Sequence, residues 1–213
     1  DKANNNIIGN QTYVNPQYNG NIEGTVWKSK GDGEKRKYDF AYDAANRLMK
    51  ADFTQYTGGS FNQTAGLNFD VKMGDGSDVS TAYDANGNIK QMQQWGWKLG
   101  GSSQIDNLTY NYYTGSNRLL NVIDANNNAQ TKLGDFRTSL LHPNQTKTNT
   151  TTDYTYDANG NLKKDLNKDI GTAGAEDIVF NHLNLPQSIT VRTTGGAIKG
   201  TITYIYDAAG NKL

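Results

Sequence analysis

The hydrophobic residues of this chain occur in short runs between turn residues, without the three- and four-residue spacing of an amphipathic helix. The runs are rich in Tyr, Val, Ile and Thr, which favour strands. They predict strands at 25–28, 38–43, 48–53, 67–72, 89–97, 108–113, 119–123, 153–157, 178–180, 188–192 and 201–206. The chain is therefore predicted to be all-β.

A turn motif recurs between these runs in two alternating forms. The first form is YDANGNI at 83–89, repeated as YDANGNL at 156–162, and the second is YDAANRL at 42–48. Gly and Asn are the residues that best tolerate positive φ. Aligned on that position, the seven motifs have Gly and Asn in strict alternation, at Gly20, Asn46, Gly87, Asn117, Gly160, Asn184 and Gly210.

The spacing within the motif predicts a three-residue hairpin loop. Asp84 would be the first residue of a type I turn, and Gly87 would follow in the left-handed conformation. Tyr83 would then lie opposite Ile89, with both apolar side chains on one face, whereas a two-residue loop would pair Tyr83 with Lys90. The residues predicted to have structural turn roles are Asp43, Asn46, Asp84, Gly87, Asn117, Asp157, Gly160, Asn184 and Gly210.

The motif intervals predict one repeat region over residues 1–213. The base unit is about 25 residues, and two intervals carry extra residues near 54–80 and 124–152, which read as loop insertions. Antiparallel hairpins of this number would form a long sheet, and sheet twist would make that sheet strongly twisted or spiralling.

These motifs resemble the YD repeats, also called RHS repeats, of bacterial wall-associated proteins. The resemblance rests on the YDANGN units, on the YD-x-x-NRL variant and on NHLNLP at 181–186, and it covers about 16–213. It implies a secreted or surface-associated β-shell that encloses a C-terminal toxin or effector. The partners would be neighbouring repeats and the cargo domain of the same polypeptide. The chain ends just after a turn, so we expect a piece of a longer protein.

Composition narrows the function classes. The formal net charge is zero, so nothing steers the chain toward nucleic acid or an anionic membrane. The absence of Cys excludes a disulfide scaffold and a thiolate metal site. No apolar segment approaches the length of about 18–20 residues that spans a bilayer, so no membrane insertion is expected.

The sequence matches the known motifs of catalysis and metal binding only poorly. The 84–88 segment resembles the start of a calcium loop, but Ile89 and Trp95 occupy the places where an EF-hand needs Gly and Glu. Asp75 and Asp78 form a somewhat better calcium candidate. No nucleophile elbow accompanies His142 and His182, and paired carboxylates are unsupported. A non-catalytic chain without cofactor or metal is therefore expected.

One segment could bind a ligand. Trp95 and Trp97 are two residues apart and would share one face of a strand. A covered face would make them core residues, the favoured interpretation, which also holds for Trp27. A wet face would make them a stacking platform for sugar. The alternative function is therefore an extracellular carbohydrate-binding or adhesion module that recognises a cell-surface glycan.

Overall fold

The computed structural model describes residues 12–126, 134–172 and 174–213, and antiparallel strands dominate them. One sheet has the order β1-β2-β3-β5-β6-β7-β8, with β4 paired to β3, and two smaller sheets have the orders β10-β9 and β11-β12-β13. The strands are β1 (Gly24–Lys28), β2 (Lys35–Tyr42), β3 (Leu48–Thr57), β4 (Ser60–Asn62), β5 (Val71–Met73), β6 (Gln91–Lys98), β7 (Gly101–Tyr112), β8 (Leu119–Asp124), β9 (Tyr154–Tyr156), β10 (Leu162–Asp165), β11 (Ile178–Phe180), β12 (Pro186–Arg192) and β13 (Ile198–Thr203).

The predicted all-β class and antiparallel pairing are confirmed, but the described strands fall into three sheets instead of one. Helices are short: α1 (Val79–Ala82) and two 3-10 turns, Leu166–Lys168 and Thr194–Gly196. The first 3-10 turn follows β10 directly, and the Asp165 side chain accepts a hydrogen bond from the Asn167 N–H at its start. Strand pairing therefore ends there.

One predicted strand needs correction. The 67–72 strand is reduced to β5 (Val71–Met73), because the Asp70 N–H donates to the Asn68 side chain and the Phe53 N–H of β3 donates to the Asp70 side chain instead of to a strand carbonyl. The turn between β6 and β7 is a tight hairpin, in which Lys98 pairs with Gly101 across Leu99 and Gly100.

The chain divides into two compact units. The first comprises the described residues of Asp1–Thr109 and Asp124–Phe136, and the second those of Tyr110–Ile123 and Arg137–Leu213. An aromatic cluster lies in the interior of the first unit. Phe53 is buried there, and its ring centre lies 5.5 Å from that of Tyr38 and 5.1 Å from that of Phe69.

The second unit has a polar interior. Its buried residues include Asn121, His142, Asp153, Asn167 and Asp177, beside the apolar Ile178. Buried polar groups are tolerated where they bond to one another, so the interior of this unit depends on a connected hydrogen-bond network.

Candidate functional site

Each motif Asp organises its own turn. Asp84 Oδ1 accepts hydrogen bonds from the backbone N–H groups of Asn86 and Asn88, both at 2.9 Å. Asp84 Oδ2 accepts from Asn88 Nδ2 at 2.8 Å. The same pattern holds at Asp43, Asp157 and Asp207, with Arg47, Asn161 and Asn211 as the side-chain donors. Sequence reasoning missed the role of the residue four positions after the Asp.

These hydrogen bonds hold the turn carboxylates in the charged form. The side chain of Asn88 lowers the pKa of Asp84, and the side chains of Asn161 and Asn211 do the same for Asp157 and Asp207. A carboxylate that accepts several hydrogen bonds stays ionised at lower pH than usual. The hydrogen bonds of these turns therefore favour the ionised Asp side chain over the protonated one.

The turn register is as predicted at the clearest motif. Tyr83 pairs with Ile89, the Asp84 N–H donates to the Asn88 carbonyl, and the Gly87 N–H donates to the Asp84 carbonyl. Six of the seven aligned positions have positive φ: Gly20, Asn46, Gly87, Gly160, Asn184 and Gly210.

The prediction for Asn117 is wrong. In that turn the left-handed residue is Gly115, with φ of 67°, and the Tyr113 N–H donates to the carbonyl of Arg118. The loop is one residue longer than in the other motifs. Glycine adopts positive φ without the Cβ penalty that Asn carries, so it takes the position when both occur in one turn.

Tyrosine hydroxyls connect successive motifs. Tyr83 Oη donates to the carbonyl of Leu48 at 2.6 Å, and Leu48 lies two residues after the left-handed position of the preceding motif. The equivalent bonds are Tyr42 to Ile22, Tyr156 to Leu119, and Tyr206 to Pro186, at 2.8–3.0 Å. Four motif tyrosines are therefore bonded to the preceding motif, whereas Tyr113 Oη donates to the carbonyl of Tyr154, just before the following motif.

The alternation of Gly and Asn has a structural cause. The Asn46 side-chain oxygen accepts hydrogen bonds from the amides of Asn19 and Asn21, which flank Gly20. The Asn184 oxygen likewise accepts from Asn159 and Asn161, which flank Gly160. Gly in place of Asn46 or Asn184 would still adopt positive φ, but it would lack the side-chain oxygen that accepts these hydrogen bonds. In these two pairs, the turn with Asn therefore accepts hydrogen bonds from the turn with Gly that precedes it.

Removing one tyrosine hydroxyl tests this coupling. Tyr83→Phe is expected to lower the free energy of unfolding by about 1 kcal/mol, because the Leu48 carbonyl loses its donor in a largely buried setting. Tyr18→Phe is the matched control, since Tyr18 is 96% exposed and should be unaffected. Equal urea midpoints for the Tyr83 variant and the parent protein would refute the role of this bond.

The predicted tryptophan pair is divided between two environments. The Lys72 ammonium lies 5.2 Å from the centre of the Trp95 ring, whereas Trp97, 54% exposed, lines a cleft in the first unit. The cleft has a volume of about 530 Å³ and is lined by Trp27, Arg36, Tyr38, Phe53, Leu67, Phe69 and Trp97. Any ring platform for a ligand therefore combines Trp97 with Trp27 rather than with Trp95.

Asp75 and Asp78, the calcium candidate from the sequence, accept hydrogen bonds within their own loop. Asp75 Oδ1 accepts from the N–H groups of Ser77 and Asp78, both at 2.7 Å, and Asp78 caps α1 by accepting from the Ser80 N–H. These bonds occupy Oδ1 of each carboxylate. The structure thereby gives Asp75 and Asp78 a structural role.

A carboxylate cluster that the sequence did not indicate lies in the first unit. Within the described residues, oxygens of Asp106, Asp124 and Asp135 lie within 4.8 Å of one another. Burial is the main cause that raises the pKa of Asp106 to about 6; the two neighbouring carboxylates also raise it, and a hydrogen bond from the Phe136 N–H opposes the shift. Carboxylates this close either bind a cation or share a proton, and the raised pKa shows that Asp106 readily takes the proton.

A second missed cluster occupies the interior of the second unit. Asp153 is fully buried and its Oδ2 accepts from Lys147 Nζ at 2.8 Å, from Asn167 Nδ2 at 2.9 Å and from the Val122 N–H at 3.1 Å. Despite its burial, hydrogen bonds from His142, Lys147 and Asn167 hold the pKa of Asp153 below its usual value.

His142 belongs to this cluster, whereas His182 lies in a motif turn. His142 Nε2 lies 3.0 Å from Asp153 Oδ1, and Nδ1 lies 3.0 Å from the nitrogen and 2.9 Å from the carbonyl oxygen of Asn144. The sequence could not indicate this cluster, because its members come from separate segments without a common spacing.

The sequence was compared with protein-family models and with curated proteins. No protein-family model and no curated protein matches the sequence. Within the described part of the chain, no helix is long and apolar enough to cross a membrane. The functional argument therefore rests on the motifs and on the geometry above.

Proposed function

We propose that this chain is a non-catalytic structural segment of a large secreted or surface-associated bacterial protein of the YD-repeat type. Its hairpin repeats would contribute to a twisted, spiralling β-shell that encloses a C-terminal toxin or effector of the same polypeptide. Neighbouring repeats and that cargo domain would be its partners, and its location would be extracellular or on the bacterial surface.

The bonding between consecutive motifs carries this proposal. Four motif tyrosines donate to the preceding motif, and two left-handed Asn residues accept from the motif before them. Most of these residues serve the backbone of a neighbouring motif and leave little side-chain chemistry for a substrate. Nearest-neighbour bonding of this kind is typical of repeat proteins that extend by adding units.

Immunoblotting of the source bacterium tests the proposal. An antibody raised against this chain should detect a polypeptide far larger than 23.4 kDa in the cell-wall or culture-supernatant fraction. A cytoplasmic enzyme of known location serves as the fractionation control. A band of about this chain's own mass, confined to the cytoplasm, would contradict the proposal.

The aromatic cleft supports a second candidate, a carbohydrate-binding or adhesion role. Its volume lies in the range of small-ligand sites, and exposed tryptophan rings provide the flat apolar surface on which a sugar ring can stack. Arg36 adds a cationic group at the cleft, although its guanidinium is paired with Asp32 at 2.7 Å. Of the three tryptophans in the chain, two line this cleft.

A pair of tryptophan variants tests the second candidate. If the cleft binds glycan, Trp97→Ala should weaken binding of solubilised cell-wall oligosaccharides at least about tenfold, the scale expected when one stacked aromatic contact is lost. Trp95→Ala is the matched control, because Trp95 does not line the cleft. Isothermal titration calorimetry gives the affinities. Equal loss in both variants, or no binding by the parent chain, would reject the cleft as a glycan site.

A further inference from the structure

The Lys147, Asp153 and Asn167 side chains have the arrangement of a reactive site. The Lys147 side chain is only 3% exposed, Asn167 is 4% exposed and Asp153 is fully buried. Lys147 Nζ lies 2.5 Å from Asn167 Oδ1, and both side chains donate to the same oxygen, Asp153 Oδ2. A buried amine thus contacts a buried amide, and one carboxylate oxygen contacts both groups.

The amine is within reach of the amide carbon. Asn167 Oδ1 is bonded to Cγ at about 1.2 Å, so Lys147 Nζ lies at most about 3.7 Å from Cγ. Reacting atoms about 3–3.5 Å apart and excluded from water are typical of near-attack geometry. Lysine amines act as nucleophiles once they are desolvated and deprotonated.

We propose that Lys147 and Asn167 form an intramolecular isopeptide bond, with Asp153 as the catalytic carboxylate. Asp153 takes one proton from the Lys147 ammonium, and the neutral amine attacks Cγ of Asn167. Asp153 then relays a proton from Nζ to Nδ2, the Cγ–Nδ2 bond breaks, and ammonia leaves. The proton first taken by Asp153 passes to the ammonia, so one amide and one ammonium ion are formed and the carboxylate is regenerated.

The surroundings suit this role of Asp153. Its oxygens contact both the attacking nitrogen and the leaving nitrogen, which is the geometry required for a proton relay. The Val122 carbonyl accepts from Lys147 Nζ at 3.0 Å and orients the amine. His142 contacts only the other oxygen of Asp153, so it is a positioning residue rather than a catalytic one.

The bond would join two segments of the second unit. Lys147 lies in the irregular stretch before β9, and Asn167 lies in the 3-10 turn after β10. A cross-link between them would close a covalent ring around the hairpin formed by β9 and β10. Such a ring would survive boiling and reducing agents, which a salt bridge would not.

Mass spectrometry of the denatured chain tests the proposal. The parent protein should be lighter than its sequence mass by one ammonia in essentially all molecules. Trypsin should yield a branched species that joins 138–163 to 165–168, because cleavage after an acylated Lys147 is blocked. Lys147→Met and Asp153→Ala should both have their full sequence masses.

Two controls make the outcome unambiguous. Lys163→Met should keep the mass deficit, because Lys163 is a partly exposed lysine paired with Glu176. Cyclic imides at Asn-Gly sequences also lose ammonia, and such sequences occur at 19–20, 86–87 and 159–160. A deficit that persists in Lys147→Met would therefore overturn the proposal, as would a parent protein at its full sequence mass. The parent measurement stands even if a variant fails to fold.

Discussion

Asp153→Ala is expected to lower the free energy of unfolding of the second unit by about 3–5 kcal/mol. The variant keeps an unlinked Lys147 ammonium that is buried without its counter-ion, and removing one member of a buried ion pair has a cost of this order. Loss of the proposed cross-link in the same variant would add to this cost. His142 and Asn167 lose their acceptor at the same time. Calorimetry is the suitable measurement, because all three tryptophans lie in the first unit.

A double variant separates the buried charge from the lost packing. Adding Lys147→Met to Asp153→Ala removes the uncompensated ammonium and should recover part of the loss. Arg36 and Asp32 provide the contrast of a more exposed pair, for which Asp32→Ala should have a far smaller effect. If the Asp153 variant lost less than about 1 kcal/mol, the buried network would not stabilise the second unit as described.

Asp106→Asn is expected to stabilise the first unit at pH 8, by up to about 3 kcal/mol. The pKa of Asp106 is raised by roughly 2 units to about 6, and each unit corresponds to about 1.4 kcal/mol. Because the folded state holds the proton more tightly than the unfolded chain, this carboxyl destabilises the fold above pH 6. That penalty disappears as the pH falls from about 6 towards 4.

The pH dependence of stability tests the prediction for Asp106→Asn. Unfolding midpoints of the parent and of Asp106→Asn should converge near pH 4–5 and diverge towards pH 8. Asp39→Asn is the matched control: the Asp39 carboxylate is also buried, but it pairs with Lys37 at 2.7 Å, so its neutralisation should destabilise. A destabilised Asp106→Asn at pH 8 would show that the carboxylate is needed in its charged form.

The motif turns could be predicted from sequence because their interactions are local. The bonds of Asp84 reach no further than Asn88, and the need for positive φ restricts Gly87 directly. The error at Asn117 has the same local origin, since two residues in one turn tolerate positive φ and the glycine at 115 takes the position. Short-range rules thus defined six of the seven left-handed positions.

Contacts between distant segments could not be predicted. Lys147, Asp153 and Asn167 meet only because the chain folds around β9 and β10, and no spacing rule links them. The aromatic partners of Trp97 are a second example. Strand alternation relates Trp95 to Trp97, but the packing of β1 and β2 determines which aromatic residues line the cleft. A single sequence contains little information about such long-range neighbours.

The central claim is that each motif depends mainly on its neighbours, and hydrogen exchange of Gly87→Val tests it most directly. Valine resists the φ of 87° at this position, so amides of α1, the 83–89 turn and the start of β6 should lose protection. Amides of β1 in the same unit should keep theirs. Ala85→Val, in the same turn but without positive φ, should change little. Uniform loss of protection throughout the first unit would contradict the claim.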